Sequence, residues 1–130
     1  MKIRKLTEDD LSLFKLCRKL DKVLSKTTFE SKVSRGEYYV LIDNGKVKSV
    51  LRVGEEFRTN IPTVYFIKTK KLSRRKKYAT KLLRFWEKEN IEKGEKILHI
   101  KFNDNIKFIE FVKKNSYIFN AKEKIFVKEV

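Results

Sequence analysis

The stretch Lys68-Thr-Lys-Lys-Leu-Ser-Arg-Arg-Lys-Lys-Tyr-Ala-Thr-Lys81 decides the fold: eight of its fourteen residues are cations and none is an acid. The segment that runs into it, Thr63–Thr69, consists mostly of β-branched and aromatic residues and predicts a strand. Beyond it, apolar residues recur at helical spacing from Lys76 to Lys93, and Gly94 follows where a helix ends. Because the first N–H groups of a helix have no internal partner, they bind anions. The stretch therefore predicts a phosphate site; a solvated loop without a ligand is the alternative.

Strands and helices are predicted on both sides of this stretch. Asp43-Asn44-Gly45-Lys46 joins two apolar runs, and Asn-Gly tolerates the positive φ angles of a type I′ turn, so a hairpin is expected there. The predicted order is β-α-α-β-β-β-α-β-α-β-β without repeat or linker, which indicates one α/β (α+β) domain over residues 1–130. The expected strands are Lys2–Leu6, Tyr38–Ile42, Val47–Val53, Thr63–Thr69, Lys96–Phe102, Ser116–Phe119 and Lys124–Lys128. Four helices are expected. The first begins at Thr7, the second includes Phe29–Val33, the third spans Lys76–Lys93, and the fourth runs from the capping residues Asn103–Asn105 through Asn115.

The charge balance is strongly basic, with a formal net charge of +16. Such a balance favours nucleic acid, a phosphorylated cofactor or an anionic surface as partner, unless it reflects composition alone. Cys17 is the single cysteine and His99 the single histidine, so neither an internal disulfide nor a metal site is expected. No apolar run approaches the roughly 20 residues that span a bilayer, and no apolar segment follows the basic Met1–Lys5. We expect a cytoplasmic protein that binds no metal and no membrane.

Several segments together resemble one known family. Arg74-Arg75-Lys76-Lys77-Tyr78-Ala79-Thr80-Lys81-Leu82-Leu83 resembles the acyl-CoA loop of the GNAT acyltransferases, R-x-x-G-x-G/A followed by a Leu-rich helix. Ile3–Asp10 resembles the family's first strand and helix start, and the Asn-Gly hairpin its second and third strands. Asn105–Tyr117 resembles its late helix, N-x-x-A-x-x-F-Y-x-K-x-G-F. The resemblance covers most of the chain and implies the GNAT-like acyl-CoA N-acyltransferase fold, a mixed, mostly antiparallel twisted sheet flanked by helices.

The resemblance also implies a cofactor, acetyl-CoA, and the residues that hold it. In the family the loop's backbone amides hold the pyrophosphate, and the pantetheine arm pairs with the preceding strand where two parallel strands splay apart. The implied cofactor-binding residues are Ile67, Thr69, Arg74, Arg75, Lys76, Lys77, Tyr78, Ala79, Thr80 and Asn105.

Two positions depart from the family's pattern. Lys77 stands where the first loop glycine is expected, and a side chain there either blocks the close approach of phosphate or forces a different turn. Its own charge could compensate. Val112 stands where many members place a Tyr that protonates the leaving thiolate, and loss of a general acid usually costs about 10²–10⁴-fold in rate.

A base for the acceptor amine has only weak candidates. Glu55 and Glu56 follow Gly54 at a strand end and are the candidate catalytic residues; solvated carboxylates are the alternative. His99 alternates with the apolar residues of its strand, which favours a structural or solvent-facing role over catalysis.

Other singled-out residues fit the core. Cys17 lies on the apolar face of the first helix. Trp86 and Phe85 share helical spacing with Leu82, so core packing is favoured over a platform for stacking bases. Tyr117 fills the family's Phe position and is expected in the core.

Two functions remain open on this basis. The first is transfer of an acetyl group from acetyl-CoA to an amine, whose acceptor would be anionic: a nucleic-acid-linked aminoacyl group or an acidic protein. The alternative is a catalytically inactive GNAT-like module that binds nucleic acid or a protein through its basic face. Either could act as a monomer or a homodimer.

Overall fold

The computed structural model describes residues 1–71 and 77–130, and their strands and helices follow the predicted order. A 3-10 helix, Glu8–Leu13, precedes the first α-helix. The strands are β1 (Lys2–Lys5), β2 (Tyr38–Asp43), β3 (Lys46–Glu55), β4 (Pro62–Thr69), β5 (Ile97–Lys101), β6 (Ile118–Asn120) and β7 (Ile125–Glu129). The α-helices are α1 (Phe14–Leu20), α2 (Lys26–Ser34), α3 (Tyr78–Glu92) and α4 (Ile106–Lys114).

The strands of the described residues form one sheet in the order β1-β2-β3-β4-β5-β7-β6. All neighbouring pairs are antiparallel except β4 and β5, which run parallel. Parallel neighbours need a long crossover, and α3 lies between these two strands in the chain. The mixed, mostly antiparallel sheet that the resemblance implied is confirmed.

The β2–β3 hairpin has the turn that its sequence predicts. Asn44 and Gly45 both adopt positive φ angles, 52° and 71°, as a type I′ turn requires. The turn sets the register of two strands that lie inside the sheet, between β1 and β4.

Helices α3 and α4 pack against one face of the sheet. Leu82, Trp86 and Val112 belong to a buried cluster that also contains Tyr117 and residues of β2 to β5 and β7. Trp86 and Tyr117 are each only 2% exposed, so the prediction that both lie in the core is confirmed.

Helices α1 and α2 cover the other face, above β2 and β3. Cys17, Phe29 and Tyr38 are buried there, and the predicted core position of Cys17 is confirmed. Neither helix packs extensively on β4, β5 or β7 in the part of the chain described.

The N-terminal helical region is less regular than the spacing predicts. It begins after Thr7, whose backbone N–H donates to Oδ2 of Asp10 at 2.8 Å, but its first six residues are 3-10 rather than α. The α-helix ends at Leu20, because Asp21 leaves the helical conformation at φ −98° and ψ 78°. The predicted single helix is thus a 3-10 helix followed by a short α-helix, and Leu16 in the latter is 39% exposed.

Candidate functional site

Strand β4 pairs with β3 from Pro62 to Thr69, with a register shift that leaves Tyr65 out of the ladder, but it pairs with β5 only at its start. Two steps of the parallel pair are in register, Thr63 with His99 and Val64 with Ile100. Among the described residues, 65–69 of β4 have no strand partner on the β5 side. We call that side of residues 65–69 the open edge.

Two residues present their backbone groups to the open edge. The N–H of Lys70 donates to the carbonyl oxygen of Lys48 on the β3 side at 2.8 Å. Backbone groups alternate in direction along a strand, so those of Lys68 also face β3, and those of Ile67 and Thr69 face the open edge. These are the two strand residues that the resemblance implied for the pantetheine arm.

Lys77, the N-cap residue immediately before α3, has a left-handed backbone conformation, with φ 58° and ψ 33°. Its carbonyl oxygen accepts the first helical hydrogen bond, from the N–H of Lys81 at 3.0 Å. Glycine adopts this conformation freely, whereas a residue with a side chain does so at a cost. Lys77 therefore takes the backbone shape that suits a loop glycine, and its exposed side chain adds a charge at the helix start.

The first turn of α3 offers backbone donors rather than side chains. Tyr78 is 3% exposed and its hydroxyl donates to the carboxylate of Asp43, so its ring is turned into the fold. Ala79 and Thr80 are half-buried. The N–H groups at a helix start have no intrahelical acceptor and suit an anion. The predicted ligands Arg74, Arg75 and Lys76 lie outside the described residues.

Positive charge surrounds the open edge and the start of α3. Lys70, Lys71, Lys77 and Lys81 are exposed, and Lys68 is half-buried. None of these five takes part in an ion pair formed within residues 1–71 and 77–130. Uncompensated cations at one end of the sheet favour an anionic ligand there.

Asn105 caps α4 at the end of the sheet where β4 and β5 finish. Its Oδ1 accepts a hydrogen bond from the N–H of Phe108 at 3.1 Å, and its own N–H donates to Oδ1 of Asn103 at 2.8 Å. Because β4 and β5 are parallel, their carboxyl ends lie at the same end of the sheet. Thr69 is the last residue of β4, and Asn105 follows β5, so both lie at that end. Because the side-chain oxygen serves the cap, the amide nitrogen is the group that Asn105 has for a ligand.

The two glutamates that are candidate bases lie at the opposite end of the sheet, beside the start of β4. Glu55 ends β3 and pairs with Pro62 at the start of β4, and Glu56 lies in the following turn, where the Thr59 hydroxyl donates to its carboxylate. Thr69 is roughly 20 Å further along β4 at about 3.3 Å per residue. Both glutamates therefore lie far from the start of α3, whereas the Glu56 carboxylate acts on the pKa of His99; a catalytic role for Glu55 or Glu56 stays a prediction.

His99 lies on β5, inside the sheet between β4 and β7. It pairs with Thr63 at the point where the parallel register begins, and with Val127 of β7 on its other side. Its flanking residues Leu98 and Ile100 point into the α3–α4 core, so its side chain lies on the other face. It is only 7% exposed, and no described residue hydrogen-bonds to its buried Nδ1.

Burial lowers the pKa of His99, while the nearby carboxylates of Glu56 and Glu123 act in the opposite direction. The two acids come from the β3–β4 turn and the β6–β7 turn. The net effect keeps the imidazole neutral at physiological pH, with one nitrogen able to accept a proton.

Val112 is fully buried in the α3–α4 core. It supplies no proton donor, so a thiolate leaving group would need its proton from another source. Thiolate is a weak base and departs without strong acid assistance.

The described residues offer neither a cluster of metal-binding side chains nor a membrane-spanning helix. Within 1–71 and 77–130, no group of three or more His, Cys, Asp and Glu side chains is placed to hold a metal ion. In those ranges, no helix combines the length and apolar character needed to cross a bilayer.

Comparison with known proteins connects the fold to one group of enzymes. No protein-family model matches the sequence, and no curated protein matches it either. Solved structures do match over nearly the whole chain. An acetyltransferase of the GNAT family from Listeria monocytogenes superposes with a TM-score of 0.76 at 10% identity, covering 99% of this chain and 94% of that one.

The chain has the GNAT fold. Ard1 from Thermoplasma volcanium matches it with a TM-score of 0.78 at 14% identity over 99% of this chain and 97% of the other. The PaiA N-acetyltransferase from Thermoplasma acidophilum, solved in complex with coenzyme A, matches with a TM-score of 0.76 at 17% identity over 98% and 96%. Identities this low show the GNAT fold alone. The resemblance seen in the sequence is thereby confirmed for the fold, while the roles of individual residues stay predictions.

Proposed function

We propose that the protein is an N-acetyltransferase that moves the acetyl group of acetyl-CoA to an amine. The observation that carries this proposal is the open edge of β4 beside the start of α3. An extended ligand arm can pair with the N–H and C=O groups of Ile67 and Thr69, as an added strand does. Its pyrophosphate would then lie at the N-terminus of α3, among cations.

The neighbouring structures support the same proposal. The matching structures from Listeria monocytogenes and Thermoplasma acidophilum are acetyltransferases, and the latter was solved in complex with coenzyme A. In this chain the Ile67 N–H faces the open edge, where it is suited to polarise the thioester carbonyl as an oxyanion-hole donor.

The acceptor proposed is an amine on an anionic molecule. Five lysines at this end of the sheet form no ion pair with an acid in the described residues: Lys68, Lys70, Lys71, Lys77 and Lys81. A nucleic-acid-linked aminoacyl group or an acidic protein would be attracted to that end of the sheet. Both remain candidates for the acceptor.

A proline substitution tests the cofactor site directly. Thr69→Pro removes the N–H that faces the open edge, and it leaves the β3 ladder intact because that N–H does not bond to β3. Thr69→Val is the matched control, since both variants lose the hydroxyl that contacts Ser49 at 2.9 Å but only Pro loses the N–H. We expect acetyl-CoA to bind Thr69→Pro about tenfold more weakly than Thr69→Val in calorimetry. Equal affinities, or no binding of millimolar acetyl-CoA to the wild type, would contradict the proposal.

A second candidate function is a GNAT-fold module that binds nucleic acid without catalysis. The burial of Val112 favours it, because no proton donor occupies that position. The same exposed lysines would contact phosphates, so RNA or DNA affinity should fall steeply between about 50 and 200 mM salt. An electrophoretic shift assay across that range decides: absence of binding at the lowest salt excludes the nucleic-acid version.

A further inference from the structure

Beyond the cofactor site, the most distinctive group on the molecule is His99. A polar side chain that is 7% exposed normally has its hydrogen-bonding atoms satisfied, because burying an unpaired polar atom is costly. Within the described part of the chain, however, Nδ1 of His99 has no partner. An orphaned imidazole nitrogen of this kind is suited to a ligand or a bound water molecule.

The position of His99 relates it to the open edge. Thr63, its partner in β4, is four residues before Ile67, so the two positions are about 13 Å apart along the strand. His99 also lies on the face opposite α3 and α4, beside Thr63, which is 1% exposed, and Lys101, which is exposed. A cofactor arm lying along the open edge and an amine approaching from that face would meet between Thr63 and Ile67.

The charges around His99 differ from those around α3. Glu56 and Glu123 are the acids close enough to influence it, one from each neighbouring turn. The residues that flank it on β4 and β7, Thr63 and Val127, are uncharged. Lys101, two positions along β5 on the same face, is exposed. On a chain with a net charge of +16, a spot with two nearby carboxylates favours a cationic group.

We propose that His99 accepts one proton from a primary ammonium acceptor, directly or through a bound water molecule, in a subsite beside Thr63 on this face. This inference rests on the proposed acetyl transfer and names its acceptor group and base. The acceptor molecule is anionic overall where it meets the lysines, but the reacting group that enters this subsite is an ammonium.

The proton balance of the step is complete. His99 takes one proton from the ammonium, and the freed nitrogen lone pair attacks the thioester carbon. As the C–N bond forms and the C–S bond breaks, the second proton leaves the nitrogen and neutralises the departing thiolate. Coenzyme A departs as the thiol, the product is an amide, and His99 returns its proton to solvent.

The single histidine makes the proposal directly measurable. NMR of the imidazole gives the pKa of His99 without assignment, and acetyl transfer to spermidine and to a free-N-terminal tripeptide gives the kinetic profile. In the wild type, kcat/KM should fall tenfold per pH unit below the same pKa that NMR reports. His99→Gln should lose that break and lower kcat by about 10²–10⁴-fold, with KM for acetyl-CoA unchanged.

Three controls separate the outcomes. Lys101→Gln, on the same strand and face, should keep the wild-type rate, and His99→Asn provides a second variant if His99→Gln does not fold by circular dichroism. A His99 variant within threefold of wild-type activity, or a kinetic pKa that differs from the NMR value, overturns the inference while the acetyl transfer stands. If neither amine is acetylated, addition of each amine to the coenzyme A complex must shift the His99 resonances; unshifted resonances also overturn it. Failure to bind acetyl-CoA is a separate result that removes the proposed function itself.

Discussion

The hydroxyl of Tyr117 lies 2.7 Å from Oε2 of Glu87, which joins the segment after α4 to the middle of α3. Glu87 is 3% exposed, and it also accepts hydrogen bonds from Lys128 at 3.1 Å and Arg84 at 2.9 Å. Burial raises the pKa of Tyr117 above its usual range, and the Glu87 carboxylate adds to the effect. The tyrosine is therefore a permanent donor to a buried charge.

Removing that donor should cost stability. We expect Tyr117→Phe to lower the free energy of unfolding by about 2 kcal/mol, because a buried carboxylate loses a charge-assisted hydrogen bond. Tyr65→Phe is the control, since its hydroxyl bonds to the Glu55 carbonyl at an exposed site, 3.0 Å away. Urea unfolding of both variants measures the difference, and similar losses in the two would contradict a special role for Glu87.

Relief of the left-handed residue should stabilise the chain. Lys77→Gly is expected to raise the free energy of unfolding by about 1 kcal/mol, because glycine adopts φ 58° without the Cβ clash. Lys77→Ala removes the same charge but keeps the clash, so it should change stability little. If Ala and Gly have the same effect in denaturant unfolding, charge rather than conformation is responsible.

The Asp21–Arg52 pair should be strongly coupled. Asp21 is fully buried and receives two hydrogen bonds from Arg52, at 3.0 and 3.2 Å, and one from Tyr38 at 3.2 Å. Arg52→Met leaves an uncompensated buried carboxylate and should destabilise the fold by about 3–5 kcal/mol. Adding Asp21→Asn to that variant should recover part of the loss, and strict additivity of the two changes in thermal unfolding would refute the coupling.

Cys17 should be inert in the folded protein. Burial raises the pKa of its thiol to about 12, and the neighbouring Asp21 carboxylate adds to the rise. Little thiolate therefore exists at neutral pH, and the sulfur is inaccessible. A chromogenic aryl disulfide should react slowly with the native protein and at once in denaturant; rapid reaction without unfolding would contradict the buried position.

The stability of the protein should depend on pH through His99. Its folded pKa is lowered from 6.5, so the unfolded chain binds a proton more readily than the folded one. The free energy of unfolding should therefore decrease as the pH falls from about 6.5 through the folded pKa, and be fully restored above that range. The same urea series on His99→Gln should be flatter in this window. A slope that is identical in the variant would assign it to other groups.

The fold was predictable where local chemistry decides it. Asn44 and Gly45 identify their turn because few residues tolerate positive φ, and Gly94 marks the end of α3 for the same reason. The length of α2 was missed, although Ser25 is a cap whose Oγ accepts from the Thr28 N–H at 3.1 Å. The 3-10 start of the first helix had no clear signal, since its side-chain spacing resembles that of an α-helix.

The candidate site was less predictable because it depends on register between distant strands. Alternation with Leu98 and Ile100 placed His99 on a face, but only the β4–β5 pairing shows that it stands opposite Thr63 at the start of the open edge. The β3–β4 pairing shows that Glu55 lies at the opposite end of β4 from Thr69. The left-handed shape of Lys77 carries no sequence signal, since lysine does not favour it.

In the described residues, strands β1–β4 are joined to strands β5–β7 by only two parallel residue pairs, Thr63 with His99 and Val64 with Ile100. Buried side chains beneath α3 and α4 hold these two groups of strands together. Hydrogen exchange along β4 should therefore alternate: the amides of Ile67 and Thr69 exchange quickly, and that of Lys68, which faces β3, exchanges slowly. A ligand arm along the open edge would protect the fast pair and make the backbone ladder continuous across the molecule. Occupancy of the site would then be visible as the loss of that alternation, without any assay of catalysis.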